Sequence, residues 1–187
     1  MRVFASVAAT PAERQGPLAG DQLVTDADIV MNRAFTLHGS PEGAWPWLVQ
    51  LGKQRAGWYL PCAVERALPP SRRAARSIEQ RWQQLRVGDV IPDYGGRHET
   101  FTVAEIDPPR TLVYLSRRGR TMVSWSITLH PAPPAAGGQR TRVRLRLRLA
   151  PVRHPLLART AGELLDLLTI AGMAAGLRER LDVRQPP

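Results

Sequence analysis

Two groups of residues in this 187-residue chain have the types and spacing for proton chemistry. The first is Asp93-Tyr94-Gly95-Gly96-Arg97-His98-Glu99, where an imidazole stands among carboxylates. A carboxylate beside an imidazole can work as an acid–base pair. The same string, with its Gly-Gly step among charged residues, also reads as a solvated hairpin loop, and we take that reading for His98 and Asp93. The second group is Arg55 and Glu65, which flank an aromatic segment. An ion pair bracing two short helices fits them better than catalysis. The remaining histidines, His38, His130 and His154, sit at element ends beside Gly or Pro. No histidine has a partner at metal-ligand spacing, so neither a metal nor a cofactor is expected. Cys62 is the single cysteine; it excludes an internal disulfide and has no evident activating base.

Composition bounds the possibilities. At 20.7 kDa and 43% hydrophobic residues the chain suits one domain with a substantial core. With 26 Lys+Arg against 16 Asp+Glu the net charge is +10, and Lys53 is the only lysine. Such charge raises a nucleic-acid reading. The arginines are scattered rather than gathered in a block and lack interleaved aromatics, which makes nucleic acid an unfavoured partner. Residues 156–177 come nearest to a membrane span, but Arg159, Glu163 and Asp166 interrupt them, so no transmembrane segment is expected. Residues 1–10 carry a short apolar run with only Arg2 before it, so a signal sequence is not expected there. A cytoplasmic location fits, and the oligomeric state is open.

The elements that must position these groups follow from periodicity. Residues 1–20 carry Pro11, Gly16 and Pro17 without a clear period and read as a mobile leader. Asp26–His38 suits a first strand. Ser40 with Pro41 starts a helix that carries Trp45, Leu48 and Val49 on one face. A second short helix or turn is expected over Arg55–Val64. Further strands are expected over Val87–Ile91, Glu99–Ile106, Arg110–Ser116, Thr121–His130 and Arg140–Ala150, at hairpin spacing and hence antiparallel. Arg142–Leu149 (RVRLRLRL) alternates strictly, which turns Val143, Leu145, Leu147 and Leu149 to a core. Its four arginines then form the other face, read as solvated, with phosphate binding as the alternative. A helix over His154–Leu181 carries a broad apolar stripe, and Gly172, Met173 and Gly176 on it suggest room beside it. Residues 21–182 form the expected single domain, and 183–187 a disordered tail.

Several strings carry a family resemblance: PLAGDQLV (Pro17–Val24), SPEGAWPWLVQLGKQRAGWY (Ser40–Tyr59), Glu65-Arg66, QQLRVGDVIP (Gln83–Pro92), SWSITLHP (Ser124–Pro131) and the Met173-bearing last helix. Together they resemble a bacterial branch of the SRPBCC superfamily, which embraces START-like, lipid-transport and polyketide cyclase/dehydrase proteins. The resemblance implies an α+β helix-grip fold, START-like and birch-pollen-allergen-like. In that fold a curved seven-stranded antiparallel sheet wraps a long C-terminal helix, with two short helices between strands 1 and 2. It also implies a cavity between sheet and helix for an apolar small molecule. This chain departs from the branch after Tyr59, where Leu60-Pro61-Cys62 replaces a polar Ser-Tyr-Asp-like segment, so no role for a carboxylate there is carried over.

Two functions follow as expectations. One is a carrier or sensor that binds a hydrophobic or aromatic small molecule in that cavity. The other is a cyclase/dehydrase-like enzyme acting on a reactive polyketide or similar apolar substrate. Period-two alternation places Val123, Trp125, Ile127 and Leu129 on one face of a strand, and Trp58, Tyr59 and Met173 are expected to complete the lining. Trp45 and Trp47 are assigned to packing. An enzyme needs an ionisable group turned into the cavity, for which Glu65, Arg55, His98 and Asp93 are the candidates.

Overall fold

The computed structural model describes residues 6–135 and 138–182; the first five residues and the expected tail, 183–187, lie outside them. Six strands form one antiparallel sheet: β1 (Ile29–His38), β2 (Val90–Pro92), β3 (Thr100–Asp107), β4 (Thr111–Arg118), β5 (Thr121–Ala135) and β6 (Gly138–Ala150). Their spatial order is β1-β6-β5-β4-β3-β2. The sheet is thus a meander from β2 to β6, closed by β1 on the outside of β6. Six strands replace the seven expected; on the free edge of β1 the further pairing among the described residues is an isolated bridge from Ala8 to Arg33.

Helices sit at both ends of the sequence and between β1 and β2. Near the N-terminus α1 (Pro11–Gln15) has a reciprocal capping box between Thr10 and Glu13. After β1, Ser40 caps α2 (Pro41–Gln50), accepting from the Gly43 N–H. Of the helix or turn expected over Arg55–Val64, the structure has the turn, closed by a Gly52–Gly57 bridge and followed by an extended passage. Pro61 ends that passage, and α3 (Cys62–Arg66) begins only after it. The C-terminal helix starts with α4 (Pro155–Leu157), passes a π-helical turn (Ala158–Gly162) and continues as α5 (Glu163–Asp182).

The core lies between the concave face of the sheet and the second half of α5. Phe35, Leu37, Ile127, Leu129 and Val143 meet Met173, Ala174 and Leu177 there, all buried. Gly176 permits this contact: a Cβ at that position would stand 2.7 Å from the Leu60 backbone. The small residues on this helix therefore bring it against another chain segment and do not leave room beside it.

The other face of the sheet overturns two expectations. Residues 6–20 are not a free leader: Val7 and Leu18 are buried, and the Ala34 N–H donates to the Val7 carbonyl at 3.0 Å. The segment then crosses the convex face. The arginine face of β6 is accordingly covered, not solvated. Arg146 donates to Asn32 Oδ1 (2.7 Å), Asp21 Oδ2 (2.6 Å) and the carbonyls of Glu13, Arg14 and Gly16. Arg148 donates to the Val24 and Thr25 carbonyls, and Arg142 grips both oxygens of Glu13 at 2.7 and 2.8 Å. Alternation was read correctly as two faces; what it could not show was a second layer written in backbone carbonyls, which have no sequence signature. Gly20, at φ +82°, brings this layer so close that a Cβ would meet Val113 at 2.5 Å.

The bidentate bond from Arg142 holds the Glu13 carboxyl at a pKa of about 2, below its ordinary 4.5. A depressed carboxyl stabilises the fold above its unfolded pKa, and that stabilisation is lost as pH falls through the folded value. Between pH 4.5 and about 2 the N-terminal layer should therefore loosen. The protection of the Ala34 amide against hydrogen exchange, measured by NMR relative to its intrinsic rate, should fall over that window, and Glu13→Gln should remove that fall.

Candidate functional site

Five aromatic rings from five separate segments converge at the end of the sheet nearest β2. Strand register sets the centre: Tyr114 on β4 lies directly opposite Trp125 on β5, and the two rings stack at 5.7 Å with a 20° interplanar angle. Phe101, at the start of β3, leans on both, 5.8 Å from Tyr114 and 6.2 Å from Trp125. From the far side Trp58, just past the Gly52–Gly57 turn, stacks on Trp125 at 6.0 Å. Tyr94, in the β2–β3 loop, closes edge-on against Trp58 at 6.2 Å.

These rings, with Leu51, Ile91, Lys53 and Asp93, line a cleft of about 40 Å³. A water needs roughly 10–15 Å³ of such space, so the cleft holds a few waters at most and is filled by its own aromatic walls. Two features fix its rim. Lys53 Nζ donates to the carbonyls of Asp93 (3.0 Å) and Gly96 (3.2 Å), tying the Gly52 turn to the β2–β3 loop. Arg118 pairs with Asp93 and lies 5.3 Å from the centre of the Phe101 ring. The phenols of Tyr114 and Tyr94 are pushed above their ordinary pKa by burial. Both stay protonated at neutral pH, which does not suit them to act as bases.

Of the residues expected to line a cavity, the structure brings Trp58 and Trp125 together in this cleft. Val123, Ile127 and Met173 are buried in the packed core instead. Tyr59 also turns into the core. Its hydroxyl donates to the Trp47 carbonyl at 2.8 Å and accepts from Gln50 Nε2 at 3.0 Å, and desolvation raises its pKa. Adjacent residues in an extended passage point to opposite sides, so Trp58 and Tyr59 could not both line one space.

The polar candidates separate likewise. His98 is exposed and off the cleft, whereas Asp93 lines it but is committed to Arg118. Arg55 does not reach Glu65. It donates to the Val49 and Trp82 carbonyls, both at 3.0 Å, and lies over the Trp82 ring at 4.7 Å. The brace expected at Glu65 exists with other partners. Arg180 of α5 donates to it at 2.6 Å in full burial, and the half-exposed Arg76 at 2.7 Å. Because Arg180 is 115 residues from Glu65 in the chain, no local spacing could have paired them.

Tyr94, Phe101, Tyr114 and Lys53 were not anticipated. Alternation along Arg110–Ser116 puts Leu112 and Tyr114 on one face, which was a usable signal for Tyr114. Tyr94 and Lys53 arrive on loops, and their convergence is a tertiary fact.

No family model and no curated protein matches the sequence. Solved structures do match. A Mesorhizobium loti protein is 16% identical at TM-score 0.51, the match covering 84% of this chain and 100% of that one. A Rhodobacter sphaeroides protein is 16% identical at TM-score 0.52, covering 91% and 97%. A Mycobacterium smegmatis protein described as of the START superfamily is 14% identical at TM-score 0.42, covering 83% and 99%.

The Glu65–Arg180 pair is the fixed point behind Trp58, and its removal has a calculable direction. Truncating one partner of a buried pair costs about 3–5 kcal/mol, whereas an exposed pair is worth about 0–1. Urea unfolding should register Glu65→Ala at the larger figure and Arg76→Ala at the smaller; equal losses would show that Arg180 is not the principal partner.

Proposed function

We propose, from the START-like helix-grip fold of the chain, that it binds a small aromatic molecule at the Trp58–Trp125 cleft. The observation that carries this is the convergence of five rings on one cleft with a rim of two cations. Ordinary core packing rarely leaves such a group half-buried at a mouth, and flat apolar walls with a few polar donors are what a binding site for an aromatic ligand requires. The cleft's small volume disfavours a lipid tail. A ring would enter by displacing Trp58, whose indole N–H is anchored on the Thr169 carbonyl at 3.2 Å, and would then stack on Trp125 in its place.

The enzyme reading draws less support. The carboxylate on the cleft, Asp93, is engaged by Arg118, and the phenols of Tyr94 and Tyr114 are held protonated. What the cleft offers is shape, aromatic faces and hydrogen-bond donors, which suit a carrier or sensor.

Titration with 1-naphthol, followed by intrinsic tryptophan fluorescence, tests the reading. We expect saturable quenching, weakened about tenfold in Trp125→Ala, since one aromatic pair is worth about 0.5–1.5 kcal/mol. Unsaturable quenching, or the same affinity in the variant, would sink the proposal.

A further inference from the structure

The first half of the C-terminal helix is turned inside out for a helix in water. Glu163 and Asp166 face the sheet, each carboxylate 2.7 Å from the Arg33 guanidinium. On the opposite arc Leu164, Leu165 and Leu168 are 56%, 65% and 46% exposed. Leu156 and Leu157 extend this apolar surface through α4 and are 78% and 63% exposed. A helix against water places its charges outward and its leucines inward; this one does the reverse until Ile170, where burial begins.

Exposed arginines lie at the start of this helix, where Arg153 shares a surface with Leu156 and Leu157, and on the neighbouring hairpin. The Thr121 hydroxyl donates to the Pro151 carbonyl at 2.7 Å, which sets the β4–β5 hairpin beside the β6–α4 connection. Arg117 and Arg120 of the hairpin, Arg153 of the connection and Arg159 of the π turn are all exposed. No acidic residue occurs from Ala150 through Gly162.

We propose that this end of the molecule docks on an anionic lipid surface, the leucines entering the headgroup–acyl boundary and the arginines meeting lipid phosphates. Charge decides the occupant. A second copy would bring two sets of four exposed arginines into one apolar interface; Glu163 and Asp166 are bound to Arg33, and the exposed Asp28, whose carboxylate accepts the Val152 N–H at 2.6 Å, is one acid against those four arginines. An anionic membrane supplies the missing countercharge. Although Pro155–Asp182, 28 residues, is long and apolar enough by composition to cross a bilayer, its second half is built into the core. The free stretch, residues 155–169, is about 22 Å long as a helix, short of the roughly 30 Å hydrocarbon thickness, so it lies on the membrane. The proposal stands apart from the identity of the cleft's ligand.

Co-sedimentation of the full chain with extruded vesicles tests it, comparing pure phosphatidylcholine with mixtures containing about one third phosphatidylglycerol. We expect pelleting with the anionic vesicles. It should weaken at least about tenfold in the triple variant Leu164→Gln/Leu165→Gln/Leu168→Gln, whose sites are exposed and whose melting temperature should hold. Arg153→Ser/Arg159→Ser should weaken pelleting on the anionic vesicles. The proposal is overturned if the wild-type chain stays in the supernatant or the leucine variant pellets equally well. It is also overturned if sedimentation velocity finds a dimer that the leucine variant converts to monomer, because a second copy then covers the face.

Discussion

The buried pair between Glu65 and Arg180 is the contact on which the placement of the cleft depends. Arg180 reaches Glu65 from α5 and also donates to the carbonyls of Leu60, Ala75 and Gly176, while its guanidinium lies 4.6 Å over the Tyr59 ring. One side chain thus joins the helix, the passage carrying Trp58 and Tyr59, and the loop after α3. Burying two charges costs several kcal/mol per ion before their attraction and hydrogen bonds return it, so such a pair is weak evidence for net stability. Its value here is positional. Several carbonyls aimed at one guanidinium allow a single register of α5 against Leu60, the register at which Gly176 alone can fit.

From that anchor polar contacts run inward to α2. The Tyr59 hydroxyl bonds Trp47 and Gln50, and Gln50 in turn donates to the Ser77 carbonyl and accepts from the Glu79 N–H. Tyr59, Trp47 and Gln50 are buried, and the Tyr59 hydroxyl and the Gln50 amide are bonded, which is the condition under which a buried network rigidifies. The long, irregular stretch between α2 and β2 has little regular secondary structure. This network, together with Arg55 on Trp82, gives that stretch the definition that strands and helices give elsewhere. Trp58 projects from its edge.

Legibility in the sequence divides along a physical line. Properties carried by local periodicity were readable: the strands from β3 to β6, the Ser40 cap, the inward row of β5, and the last helix. Properties carried by long-range convergence were not. Glu65 could be seen to need a cation, but Arg55 at short range was the natural choice and Arg180 the actual one. Arg146 stood in a perfect alternation, yet its partners are the carbonyls of Glu13, Arg14 and Gly16, which any residue would supply. The same limit explains the cleft: Trp58 and Trp125 were legible as aromatics beside the core, whereas Tyr94 and Phe101 depended on how the β2–β3 loop folds back.

The layer on the convex face changes what the concave face can do. In a single sheet solvated on one side, the core face must supply all the packing. Here Ser124, Ser126 and Thr128 are buried beneath the N-terminal segment while Val123 and Ile127 are buried on the other side. A sheet fixed from both sides needs less of its concave surface covered by the helix to remain ordered. That is consistent with an α5 whose second half packs through apolar side chains and whose first half is held on β1 by the Arg33 ion pairs. The boundary falls at Thr169, and it is the Thr169 carbonyl that accepts the Trp58 indole N–H. The wall of the aromatic cleft is therefore bonded to the helix at the point where burial begins. A ring that displaces Trp58 must break that bond.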